Sequence, residues 1–110
     1  MNPVKFYKSL ADETRLRCLL LIDKEKELCV CELTDALDVS QPKISRHLAS
    51  LRHCGIVMAR KQDQWVFYAI NATLDKWAQK VITDTRKANK DYIQTCLKRL
   101  HNSNNRPKCC

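Results

Sequence analysis

Residues 40–55 read Ser40-Gln-Pro-Lys-Ile-Ser-Arg-His-Leu-Ala-Ser-Leu-Arg-His-Cys-Gly55, and the fold is decided there. At about 100° per residue, Ile44, Leu48 and Leu51 fall in one narrow sector of a helix, which must face a core. Pro42, Arg46, Ala49 and Ser50 lie opposite, with Lys43 and Ser45 on the flanks. Ser40 is a capping residue, and Pro42 is tolerated in a first turn, where its missing amide has no intrahelical partner. Gly55, the chain's only glycine, stands where a left-handed C-terminal cap is expected. Just upstream, Val30 to Leu37 reads as a shorter helix with Leu33, Ala36 and Leu37 inward, and Asp38-Val39-Ser40 as a turn. Two short helices across a three-residue turn are the signature of a helix-turn-helix.

On the C-terminal side the texture changes. Ile56 to Lys61 and Trp65 to Ile70 are rich in β-branched and aromatic residues and are separated by Gln62-Asp63-Gln64. This predicts a hairpin, or wing, although its turn lacks glycine. Asn71 is then expected to cap one long helix with apolar residues at Leu74, Trp77, Ala78, Val81, Ile82, Tyr92, Ile93, Leu97 and Leu100. That stripe is longer than one small core needs, and part of it is expected to pack on a second subunit. On the N-terminal side, Asn2-Pro3 starts a first helix running to about Leu10, and Asp12 caps a second that ends near Ile22 or Asp23. Asp23-Lys-Glu-Lys-Glu27 reads as a solvated helix end and loop. The expected architecture is mainly α with a small β-hairpin, in the order α-α-α-α-β-β-α. A single domain is expected over residues 1–101, followed by a flexible, cysteine-ending tail over residues 102–110.

The chain has 110 residues, room for one core and not two. Hydrophobic residues make up 45%, enough to fold, but so small a domain buries a modest fraction of its surface and gains from dimerisation. Twenty Lys and Arg against twelve Asp and Glu give a net charge of +8, which favours a polyanionic partner. The first apolar run is broken by Lys5, Lys8, Asp12 and Glu13, unlike a signal peptide. Cys18 to Ile22 is far too short to span a bilayer, so no membrane partner and a cytoplasmic location are expected. Seven cysteines in a reducing compartment then read as thiols, metal ligands or small buried groups rather than as structural disulfides.

The candidate DNA-contacting residues follow from the helix wheel. Gln41 sits at the tip of the second helix of the pair, the part that enters a major groove first. Arg46 suits guanine and Gln41 suits adenine by paired hydrogen bonds. Ser40, Lys43, Ser45, His47 and Ser50 suit phosphates or base edges. In the wing, Arg60, Lys61 and Gln64 are candidates for backbone or minor-groove contacts. A solvated polar helix face is the plainer reading of any one of these residues. Helix-turn-helix, wing and charge together favour double-stranded DNA.

At these residues a resemblance emerges. Leu10-Ala-Asp-Glu-Thr-Arg-Leu16, Glu27-Leu-Cys-Val-Cys-Glu-Leu33, Ser40-Gln-Pro-Lys-Ile-Ser-Arg-His-Leu48 and Arg60-Lys-Gln-Asp-Gln-Trp-Val-Phe-Tyr68 resemble the arsenical-resistance repressors of the ArsR/SmtB family. The resemblance implies a homodimeric winged helix that binds a palindromic operator and leaves it when a metalloid binds. It also implies that dimer contacts come from the first and last helices, where Phe6, Leu74, Trp77, Val81, Tyr92, Ile93 and Leu97 are the candidates.

Cys29-Val30-Cys31 is the candidate metalloid site. Trivalent arsenic and antimony are thiophilic, so arsenite or antimonite as inducer calls for thiolates, and a helix N-terminus favours that form. Residues i and i+2 point about 200° apart on a regular helix. One ion is therefore expected to hold both sulfurs only by distorting the start of that helix and shifting its partner relative to DNA. Many family members carry a third cysteine three residues on, where this chain has Thr34. Replacements would be Cys109 or Cys110 in the tail, Cys96, Cys54 or an outside thiol, and a methylated trivalent arsenical needs only two. Cys109-Cys110 is a second candidate trap in its own right, whereas Cys18, Cys54 and Cys96 read as structural. The family's zinc sensors use Asp and His on the last helix, and Asp75, Asp84, Asp91 and His101 match that pattern poorly. A zinc- or cadmium-responsive repressor, or a thiol protein that buffers metal or acts in redox, are the competing readings. No cofactor motif or substrate pocket supports an enzyme.

Overall fold

A computed structural model describes residues 1–102. Four helices come first, α1 (Pro3–Leu10), α2 (Glu13–Glu25), α3 (Val30–Leu37) and α4 (Gln41–His53), with the two-residue strand β1 (Leu28–Cys29) set between α2 and α3. The wing is β2 (Val57–Gln62) and β3 (Trp65–Ile70), and α5 (Lys76–Ala88), a 3₁₀ turn (Lys90–Ile93) and α6 (Gln94–Asn102) follow.

The helix starts obey local chemistry. The Asn2 side chain accepts the Lys5 amide proton and that of Asp12 accepts from Arg15, both at 3.0 Å. Asp38 closes α3 in the left-handed region (φ 55, ψ 47), which Asp tolerates better than most residues. Gly55 follows α4 at φ +80, with nothing within 4 Å of where a Cβ would stand, so its need is conformational rather than steric.

Ile44, Leu48 and Leu51 are fully buried, as the wheel requires. They join Phe6, Leu19, Leu20, Leu21, Ile22, Leu33 and Ile82 in one continuous core. The five-residue run from Cys18 to Ile22 is buried all round because α2 is the central helix, packed against α1, α3, α4, α5 and the sheet. Among the described residues, no helix is long and apolar enough to cross a membrane.

Several expectations need correction. The hairpin is a three-stranded sheet in the order β1-β3-β2, because Leu28 and Cys29 pair antiparallel with Tyr68 and Phe67. A two-residue strand carries no period-2 pattern, so only its partner reveals it. The wing turn is Asp63-Gln64 alone, since Gln62 still pairs with Trp65, and Asp63 at φ 57 stands in for the missing glycine.

The long last helix is broken. Asn71 caps no helix: its Oδ1 accepts the Thr73 amide at 3.0 Å, its Nδ2 donates to the Gly55 carbonyl at 3.0 Å, and Asp75 is the residue at the α5 N-cap. At Asn89 the backbone leaves the helix (φ −132, ψ 49), and after the 3₁₀ turn α6 folds back along α3. The apolar stripe continues through the break because both halves face the same core. Asn102 closes α6, so the expected tail loses its first residue, and the remainder, including Cys109 and Cys110, lies outside the described residues.

Candidate functional site

Cys29 is the hinge of the thiol pair. It is the last residue of β1 and the N-cap of α3, with extended backbone (φ −90, ψ 167), while Cys31 is already helical. This change of backbone between the two residues removes the 200° divergence expected within a regular helix. The two sulfurs lie 3.9 Å apart. Thiolate–metal bonds of about 2.3 Å let one central ion span sulfurs up to about 4.6 Å apart. The pair is thus within bridging reach with α3 intact from Val30, and the expected distortion of the helix start is not required.

Glu32 holds this hinge. It is buried, and its carboxylate accepts the Cys29 amide proton at 3.0 Å, the side-chain half of a capping box. Cys29 is fully buried and Cys31 partly exposed, so a ligand approaches from the Cys31 side. Thr34 stands one turn on, but its hydroxyl donates to the Val30 carbonyl at 3.0 Å and serves the helix. Among the described residues, no group of three Cys, His, Asp or Glu side chains forms a metal cluster. Of the residues weighed for zinc, three are engaged elsewhere: Asp75 by the N-terminal ammonium at 3.0 Å, Asp84 by Lys80 at 2.6 Å, and His101 beside Glu25 at 3.6 Å.

The polar face of α4 points outward. Ser40, Gln41, Lys43, Arg46 and Ser50 are exposed, with Ser45 half-buried at the edge. Ser40 occupies the N-cap position but makes no side-chain cap bond. His47 departs from this face. It is half-buried against α2, with Nδ1 3.4 Å from Arg15 Nη1 and Nε2 3.9 Å from Asp12 Oδ1, and burial holds its pKa below the usual value. It ties the recognition helix to the core. Arg15, in turn, donates to the carbonyls of Ser9 and Lys8 and joins α1 to this junction, a role that sequence reasoning missed.

On the wing, Lys61 and Gln64 are exposed. Arg60 is exposed but engaged: Nε and Nη2 each donate to the Glu27 carboxylate at 2.7 Å, Nη1 donates to Gln62 Oε1 at 2.6 Å, and the guanidinium lies 4.9 Å from the Phe67 ring centre. Glu27 was read as loop charge, and only the pairing of β1 with the wing reveals its role. Of the residues weighed for a subunit interface, Phe6, Leu74 and Ile93 are buried within the chain itself, and Val81, Tyr92 and Leu97 are half-covered. Trp77 stays exposed beside Tyr7, with ring centres 6.3 Å apart, and Val4 is exposed on the same helix as Tyr7.

A helix-turn-helix whose second helix presents an exposed polar face, flanked by a hairpin, defines a winged-helix protein of the DNA-reading class. Residues 12–59 match the model of the arsR family of bacterial regulatory proteins. The chain is 46% identical, over all of its length and 99% of the relative's, to an arsenic resistance transcriptional regulator of Pseudomonas putida. It is 45% identical, over 93% of its length and 87% of the relative's, to the arsenical resistance operon repressor of Escherichia coli. Among solved structures, HlyU from Vibrio cholerae superposes with a TM-score of 0.70 at 36% identity, covering 78% of this chain and 89% of that one. The antimony-specific transcriptional repressor AntR superposes with a TM-score of 0.67 at 25% identity, covering 83% and 79%. The chain belongs to the ArsR family of transcriptional regulators.

Proposed function

We propose that the chain is a cytoplasmic, homodimeric transcriptional repressor that holds a palindromic operator through α4 and the wing. It releases the operator when trivalent arsenic or antimony bridges Cys29 and Cys31. The observation that carries this reading is the 3.9 Å sulfur pair at the junction of β1 and α3. It sits between the two elements that would touch DNA, since β1 pairs with the wing and α3 packs on α4. The relatives, arsenic resistance regulators and an antimony-specific repressor, point to the same ions.

A ligand shifts a conformational equilibrium only by binding one state better than the other. An ion that bridges sulfurs 3.9 Å apart favours the arrangement of β1 and α3 that places them there. Release on this reading requires operator to favour a different arrangement of β1 and α3. Thr34 favours a second form of the reading, in which the preferred inducer is a singly methylated trivalent arsenical satisfied by two thiolates, because its hydroxyl is committed to Val30.

The test is fluorescence anisotropy of reduced protein on an operator selected from random duplexes, titrated with arsenite, methylarsenite, antimonite, zinc and cadmium. Release by the arsenic and antimony species at lower concentration than by zinc or cadmium is expected, as is loss of that release in Cys29→Ser and Cys31→Ser. Normal release from both variants would overturn the site. Adding Cys109→Ser with Cys110→Ser decides whether those thiols contribute.

A further inference from the structure

We propose that Glu27 sets operator affinity by withholding the Arg60 guanidinium from DNA phosphates, and that it links this restraint to the thiol pair. The proposal rests on the DNA-binding reading above. Three residues lie in one transverse row of the sheet: Cys29 pairs with Phe67, and Phe67 pairs with Arg60. The Arg60 side chain packs over the Phe67 ring and closes on Glu27, two residues before Cys29. A path of pairings and contacts therefore runs from Cys29 across β3 to the wing and back to the residue just before β1.

The geometry of the clamp decides what it does. A guanidinium recognises carboxylate and phosphate with the same planar fork. Glu27 occupies the Nε/Nη2 edge of that fork with both oxygens at 2.7 Å, and Gln62 takes Nη1. A phosphate meeting this wing finds a cation already neutralised and a carboxylate beside it. The pair is half-exposed, and exposed pairs of this kind are weak enough for a phosphate to displace. Arg60 is thus a conditional contact, whereas Lys61 and Gln64 are exposed on the same hairpin.

The row also gives the restraint a direction. An ion that joins Cys29 to Cys31 fixes β1 against α3, which keeps Glu27 in register with Arg60 and holds the clamp shut. Inducer then acts on the wing as well as on the recognition helix. Operator binding, conversely, opens the clamp and draws on the freedom of β1.

The experiment compares wild type, Glu27→Gln, Arg60→Gln and the double variant by operator anisotropy over a salt series, with thermal melts confirming that each is folded. Glu27→Gln should bind operator roughly two- to fivefold more tightly, because Arg60 then meets a phosphate without first leaving a carboxylate. The double variant should lose that gain, and Glu27→Gln should need more arsenite for half-release. Equal affinity of Glu27→Gln and wild type across the salt series would overturn the proposal, as would weaker binding by Glu27→Gln. Should wild type itself bind no duplex selectively, the DNA-binding reading falls and this one with it. Arg60→Lys, which keeps the charge without the fork, provides a second folded variant. It should bind operator with little dependence on Glu27.

Discussion

The buried Glu32 carboxylate accepts the amide proton of Cys29 at 3.0 Å, so the residue that ends a strand and begins a helix is fixed by a side chain one turn along. Hydrogen bonds to charged groups contribute about 1.5–3 kcal/mol. Glu32→Ala is expected to destabilise the chain by about that much and to loosen the sulfur pair. Operator release should then need more inducer. Glu32→Gln keeps an acceptor and should restore most of both, as read by thermal melting and by anisotropy.

Arg86 Nε donates to Asp23 Oδ2 at 2.7 Å and Thr83 Oγ1 donates to Asp23 Oδ1 at 3.2 Å, joining α5 to the end of α2. Both charged side chains are more than four-fifths buried, so removal of either strands the other. Arg86→Met should cost about 2–3 kcal/mol, discounted from the fully buried case for residual solvent. The double variant Asp23→Ala/Arg86→Met should cost less than the sum of the singles in denaturant titrations.

The pH dependence follows from Asp12 and His47. The Arg15 amide bond, with help from His47, holds the Asp12 pKa below 3.8, and burial holds His47 below 6.5. In both cases the unfolded chain binds protons first as pH falls, so the stabilisation is complete above the unfolded value and is lost as pH drops through the folded one. The melting temperature should therefore be flat from neutrality up to the approach to pH 9.0, where the unfolded Cys18 thiol ionises while burial keeps the folded one protonated, and stability falls. It should decline below pH 6.5 as the unfolded His47 protonates, and again below pH 3.8 through Asp12. His47→Gln should abolish the first decline and leave the second. Asp12→Ala should lose about 1 kcal/mol of cap energy at neutral pH.

Arg46 is exposed on the outer face of α4 and far from the thiol pair in role as well as in sequence. Arg46→Ala should weaken operator binding by about 1–3 kcal/mol and relax sequence preference at one base pair per half-site, with unaltered melting. Lys43→Ala should weaken all duplexes alike and lower the salt slope by about 0.9.

The helix-turn-helix was legible because it rests on local rules: the Ile44, Leu48 and Leu51 period, the Pro42 and Gly55 punctuation, and the spacing between the two helices. What escaped the sequence depends on pairing across space. Leu28 and Cys29 become a strand only because Tyr68 and Phe67 lie beside them. Glu27 becomes a clamp only because that pairing brings Arg60 within reach. The break at Asn89 was hidden for the opposite reason, since an apolar stripe that faces one core on both sides of a bend keeps its helical period. The two cysteines stood out by their spacing, but the geometry expected between them was wrong, because periodicity assigns Val30 to a helix without saying that Cys29 is still extended.

That bend has a consequence for how the chain can be cut. A straight helix from Lys76 to Asn102 would extend about 40 Å, longer than the 37 Å body that it leaves. Instead α6 turns back along α3, burying Leu100, with Arg99 Nη1 3.4 Å from the Ala36 carbonyl. The first helix of the DNA-reading pair is thus roofed by the last one in the sequence. A fragment ending at Ala88 would keep every residue of the reader and still expose the underside of α3 to water. The DNA reader of this chain is not a transplantable cassette; its integrity is decided some sixty residues away from where it is read.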